Sequence, residues 1–131
     1  MYAVPVQAVF RGETSQHRSA SVLVAADGTV TRIRIRYSAH CRRRGYTFPN
    51  TMEVVPPFTA ATPDAVSERL TLHEPLAGGG HTTQTVAIDA GRVSTRLWRG
   101  TFSTTAILVK NHRWLDTCRL KGVTWKAKLS A

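Results

Sequence analysis

The sequence predicts an all-β domain, an antiparallel sandwich or barrel of about eight to nine strands with at most one short helical turn. Three observations carry this. Apolar residues alternate with period two in almost every segment, and none holds a 3.6-residue period for three turns. Turn residues separate these segments at short intervals. The chain of 131 residues, 42% hydrophobic and 20% charged, has material for one core, so a single β domain spans residues 1–131.

Val6, Ala8 and Phe10 begin a first strand that the polar run Arg11-Gly12-Glu13-Thr14-Ser15-Gln16 ends. A second strand covers Ala20 to Ala25, and Ala26-Asp27-Gly28 supplies a tight hairpin signal. The third strand is the clearest. Ile33, Ile35 and Tyr37 face the core, so Arg32, Arg34 and Arg36 stand in a row about 7 Å apart on the other side. A basic loop follows, Cys41-Arg42-Arg43-Arg44-Gly45, then an extended piece from Thr51 to Val55. Pro49, Pro56, Pro57, Pro63 and Pro75 make the middle of the chain its least regular part. Thr62-Pro63-Asp64 has the form of a helix start, with Thr as N-cap, and predicts one helical turn ending by Arg69.

Leu70 and Leu72 restart the alternation, and Gly78-Gly79-Gly80 reads as a slack loop. Thr83 to Ile88 form the next strand, with Asp89-Ala90-Gly91 as its turn. Val93, Thr95 and Leu97 share a face, Gly100 interrupts the run, and Phe102 to Val109 follow. After the turn Asn111-His112-Arg113, a last strand sets Val123, Trp125, Ala127 and Leu129 on one face and Thr124, Lys126 and Lys128 on the other.

Charge is the informative part of the composition. Eighteen basic residues, fourteen of them Arg, stand against eight acidic ones for a net charge of +10. Such a field favours an anionic polymer or surface, whether nucleic acid, acidic polysaccharide, cell wall or anionic membrane. Arg32, Arg34, Arg36, Arg42, Arg43 and Arg44 place six guanidinium groups within thirteen residues. Guanidinium pairs bidentately with phosphate, sulfate or carboxylate, which makes them anion-binding candidates; the competing account is a solvated outer face. Trp98 and Trp114 are candidate stacking platforms for a sugar or a base, the competing and favoured account of Trp98 being that it covers the open edge of the core, while Trp125 reads as core.

Cys41 and Cys118 form no C-x-x-C pair and have no His at zinc-ligand spacing, which argues against a metal site. They are compatible with one disulfide, which would contribute about 4 kcal/mol by closing a long loop, and with two separate buried thiols. A disulfide places the chain in an oxidising compartment, extracellular or at the cell surface; two thiols would suit the cytoplasm. Met1 to Val6 shows neither the positive nor the apolar region of a signal peptide, and no apolar run is long enough to cross a bilayer.

Gly12-x-Thr14-Ser15-Gln16 after the first strand, Cys41 after the third, and Cys118 with Val123-x-Trp125-x-Ala127 resemble a group of small secreted all-β proteins of unknown function from actinobacteria. The resemblance spans most of the chain and implies an extracellular domain bridged between Cys41 and Cys118. It implies no activity. The Arg content departs from that group, which is richer in Ser, Thr and Gly.

Little in the sequence carries catalytic chemistry. There is no phosphate-binding G-x-x-x-x-G-K-[ST] or G-x-G-x-x-G and no G-x-S-x-G elbow, so no cofactor is expected. His17, His40, His73, His81 and His112 are scattered without metal-ligand spacing. His40 and Cys41 are neighbours on a strand and point to opposite faces, which argues against a Cys–His nucleophile. The expectation is a non-catalytic extracellular or surface domain that binds or assembles through a basic face. The alternatives are a nucleic-acid-associated or virion structural protein, self-assembly through edge strands, and a small hydrolase.

Overall fold

The structure, a computed structural model, describes residues 7–43, 45, 47–76 and 78–130, and of Phe48 the backbone alone. Val6 and Arg44 therefore lie outside the described residues. Nine strands follow one another, and no helix occurs among the described residues: β1 (Ala8–Thr14), β2 (Ser19–Val24), β3 (Val30–Cys41), β4 (Thr47–Val54), β5 (Ala60–Thr62), β6 (Ala65–Pro75), β7 (His81–Ser94), β8 (Leu97–Lys110) and β9 (Arg113–Leu129). All pair antiparallel in one sheet of order β4-β3-β2-β1-β9-β8-β7-β6-β5. Two meanders, β1 to β4 and β5 to β8, thus meet on β9.

The sheet curls until its inner face closes on itself. Tyr37 of β3 meets Phe102 of β8 with ring centroids 5.0 Å apart, and the Gln84 amide of β7 donates to the Tyr37 hydroxyl at 3.1 Å. β9 is long enough to serve two partners. Its Trp125–Leu129 half pairs with β1, while Arg119 and Cys118 pair with His40 and Cys41 of β3. The halves differ in parity: Cys118 and Leu120 are buried, as are Val123, Trp125 and Ala127. An extra residue at Lys121-Gly122 absorbs the slip, with Gly122 at φ 47°. That is a β-bulge, and it keeps the charged residues of both halves on the outer face.

The Gly12-x-Thr14-Ser15-Gln16 motif holds the seam between β1, β3 and β9. A Cβ on Gly12 would sit 1.9 Å from the Lys126 carbonyl oxygen, so only glycine lets β1 approach β9. The Thr14 hydroxyl accepts from the Gln16 and Arg18 N–H groups and shapes the β1–β2 turn. Gln16 then donates to the Ser38 carbonyl and accepts from its N–H, both at 3.0 Å. Its amide stands in for a strand where β3 passes from β2 to β9. Cys41 and Cys118, opposite each other in that pairing, form a disulfide.

Three local expectations are corrected. Thr62-Pro63-Asp64 starts no helical turn but belongs to the tight turn between β5 and β6, where strand pairing from Thr62↔Ala65 outward outweighs the capping signal. Asp89-Ala90-Gly91 is not a turn. β7 runs through it because β6 and β8 pair on both sides, and the turn falls at Thr95-Arg96. Gly100 interrupts nothing: it leaves room for the Trp125 ring, whose Cζ2 would lie 2.4 Å from an added Cβ.

Candidate anion-binding face

The outer surface around β9 is where the sheet concentrates positive charge. In the β1–β9 pairing Arg11 lies directly opposite Lys128, and in the β8–β9 pairing Arg99 lies directly opposite Lys126. Like charges directly opposite each other across two strands are destabilising, so the face is held against its own repulsion by the core beneath it. These four residues line one shallow depression of about 690 Å³. The carboxylate on it is Glu13, which faces Lys126 and lies 3.5 Å from the His17 ring. At the other end of β9, His40, Arg42, Arg119, Lys121 and Thr117 line a second depression of about 360 Å³.

The other acidic residues are engaged or distant. Glu53 takes Arg32 and Arg34, each at 3.3 Å. Glu68 of β6 is buried and accepts from the Thr59 backbone N–H and hydroxyl, fixing the link between β4 and β5. Asp89 pairs with Arg69 at 2.9 Å and accepts from the Ser67 hydroxyl. The Arg69 hydrogen bond holds its carboxyl below the usual carboxylate range. Asp27 is likewise lowered, by the Thr29 N–H in the β2–β3 turn. Tyr37 moves the other way, pushed up by burial.

The arginine row of β3 stands where the alternation places it, with Ile33, Ile35 and Tyr37 buried behind it. Arg32 and Arg34 share Glu53, and their half-exposed positions make those ion pairs weak. Arg36 is exposed, opposite Thr51 of β4. In the following loop Arg42 joins the second depression, whereas the exposed Arg43 lies against Trp114. Its guanidinium lies 5.7 Å from the Trp114 ring centroid and its backbone N–H donates to Asp116 Oδ1 at 2.8 Å.

Of the two stacking candidates, Trp98 is corrected. It is fully buried, edge-on to Phe10 at 6.4 Å, because the turn at Thr95-Arg96 resets the alternation and sends it inward. Trp114 is 44% exposed, with its Nε1 donating to Thr117 Oγ1 and Arg43 over its ring. The buried Asp116 lies within 4.8 Å of both cysteine sulfurs, but those sulfurs are bonded to each other. Its carboxylate also accepts from the Arg43 and Thr117 N–H groups, so the trio is a structural knot and not a metal-ligand set.

Lys126 and Lys128 were legible as outward-facing, but Arg11 and Arg99 were not legible as their neighbours. For Arg11 that depends on the first strand pairing with the last, in a register fixed by the close approach at Gly12, and for Arg99 on the β8–β9 register across the bulge at Lys121-Gly122. The fold and this face together define a class: a single-sheet, disulfide-linked β domain with a basic outer surface. No protein-family model, curated protein or solved structure matches the chain.

Proposed function

We propose that the protein is a non-catalytic β domain that works outside the cytoplasm and binds an anionic partner through the outer face of β9. The observation that carries this reading is the pair of like-charge contacts, Arg11 opposite Lys128 and Arg99 opposite Lys126. Arg11 opposite Lys128 costs stability in the free protein, as does Arg99 opposite Lys126 less the relief that Glu13 gives Lys126 from β1, and a bound anion removes that cost. The net charge of +10 supports the reading by drawing anions toward the surface. The Cys41–Cys118 disulfide supports an oxidising compartment.

The test is retention on a heparin column. The protein should bind at low salt and elute only at high salt, and Lys126→Glu with Lys128→Glu should lower the eluting salt clearly. Flow-through at low salt would sink the proposal. A protein retained equally well with both substitutions would move the site elsewhere on the surface.

A further inference from the structure

Resting on the anion-binding reading above, we infer that the ligand is a linear phosphodiester polymer that lies along β9 and engages both depressions at once. Lys128 and Arg119, the outermost cations, are nine positions apart on one strand with one bulge between them, about 25 Å, and the nearest, Lys126 and Lys121, are about 13 Å apart. Even the nearer distance exceeds one Debye length at physiological salt, so the clusters reinforce each other only weakly on a small ion. A chain that reaches both gains the second contact at high effective concentration.

The ground between the clusters suits a charged chain. Thr124 of β9 lies opposite Thr101 of β8, and Ser103 follows on the same face of β8. These are hydroxyls that donate to phosphate oxygens or to a polyol. Each cluster combines arginine forks, which match the oxygens of a tetrahedral anion, with lysine as a point charge. Among the described residues, the aromatic that lines the first depression, Trp125, is buried and offers no ring face between the cations. Bases and sugar rings are commonly held on such platforms, so the recognition here falls on backbone charge. A disulfide-linked domain also meets its ligand outside the reducing compartments, which favours a polyol phosphate over intracellular nucleic acid.

The probes are poly(glycerol phosphate) of about twenty repeats, its trimer, heparin, and oligothymidylate of equal charge, measured by titration calorimetry on the intact protein. The long chain should bind at least tenfold more tightly than the trimer. Arg99→Glu and Arg119→Glu, at opposite ends of the track, should each bring it down to about the trimer's affinity, with melting curves confirming that both variants are folded. Equal affinity for long chain and trimer overturns the two-depression track. A variant at one end that leaves long-chain binding intact overturns it too. Tenfold tighter binding of heparin or oligothymidylate overturns the assignment to a polyol phosphate. Failure of every polyanion to bind at low salt overturns the anion-binding reading itself.

Discussion

Replacing Lys128 by glutamate should stabilise the free protein while weakening its hold on polyanions. Lys128 faces Arg11 on one side and Leu97 on the other, so the charge directly opposite it is positive. Opposed Cβ atoms lie about 5 Å apart, and two long exposed side chains splay their charges to about 7 Å. At that distance in water the repulsion is about 0.6 kcal/mol before screening. Salt reduces it to about 0.5 kcal/mol at 10 mM and about 0.25 kcal/mol at 150 mM. Reversing the sign turns repulsion into attraction of the same size, a swing of about 1 kcal/mol at low salt and about half that at 150 mM. For a domain of this size the melting temperature should rise by about 4 °C at low salt and about 2 °C at 150 mM. Thermal melts followed by circular dichroism at both salts read the gain, and heparin elution reads the loss of binding. A melting temperature that falls, or a gain that salt does not shrink, would refute the idea that the fold holds these cations against their repulsion.

Three further outcomes follow from the seam and the surface pairs. Replacing both Cys41 and Cys118 with serine should cost about 4 kcal/mol in urea unfolding, since the bridge closes a separation of 77 residues; a loss below about 1 kcal/mol would show that the bond does not constrain the unfolded chain. Gly12→Ala should cost about 3 kcal/mol or prevent folding, because backbone atoms of β9 occupy the space its Cβ needs. Gly91→Ala, with nothing within 4 Å, should stay within about 0.5 kcal/mol, and equal costs for the two glycines would refute the close-approach argument. Asp89 has its folded pKa depressed by Arg69, so it contributes stability above its unfolded pKa and loses it as pH falls through the lower folded value. Asp89→Asn should therefore destabilise the protein at neutral pH, leave it unchanged in strong acid, and flatten the pH dependence below about 4. Unfolding curves of both proteins from neutral to acid pH check this, and parallel pH profiles would refute it.

What the sequence made legible was local or parity-based. β3 alternates without interruption from Ile33 to Cys41, so its buried and exposed faces could be read directly. The Asp27-Gly28 hairpin and the outward lysines of β9 were legible for the same reason. Gly91 and Gly100 misled because, in isolation, a glycine beside a polar residue signals a turn. In the structure both lie inside ladders that neighbours on either side enforce. Trp98 misled because its face depends on where the preceding turn falls, and a shift of one residue inverts it. The basic face was hidden most deeply, since Arg11 comes from the opposite end of the chain to the other three cations and Arg99 from the neighbouring strand β8.

The position of β9 has a consequence for how the protein is made. β1 and β8 both hydrogen-bond to it, and the contacts between Phe10–Thr14 and Trp125–Leu129 span most of the sequence. A ribosome thus releases β1 to β4, with an open β1 edge, well before β9 emerges, whereas β8 meets β9 across a two-residue turn. Contacts so distant in sequence form slowly, since the entropy of closing the long loop is lost before any pairing is gained. During that interval the exposed β1 edge invites pairing with other nascent chains. The repulsion among Arg11, Arg99 and their counterparts on a second copy would act against such encounters, making the same cations a safeguard during synthesis.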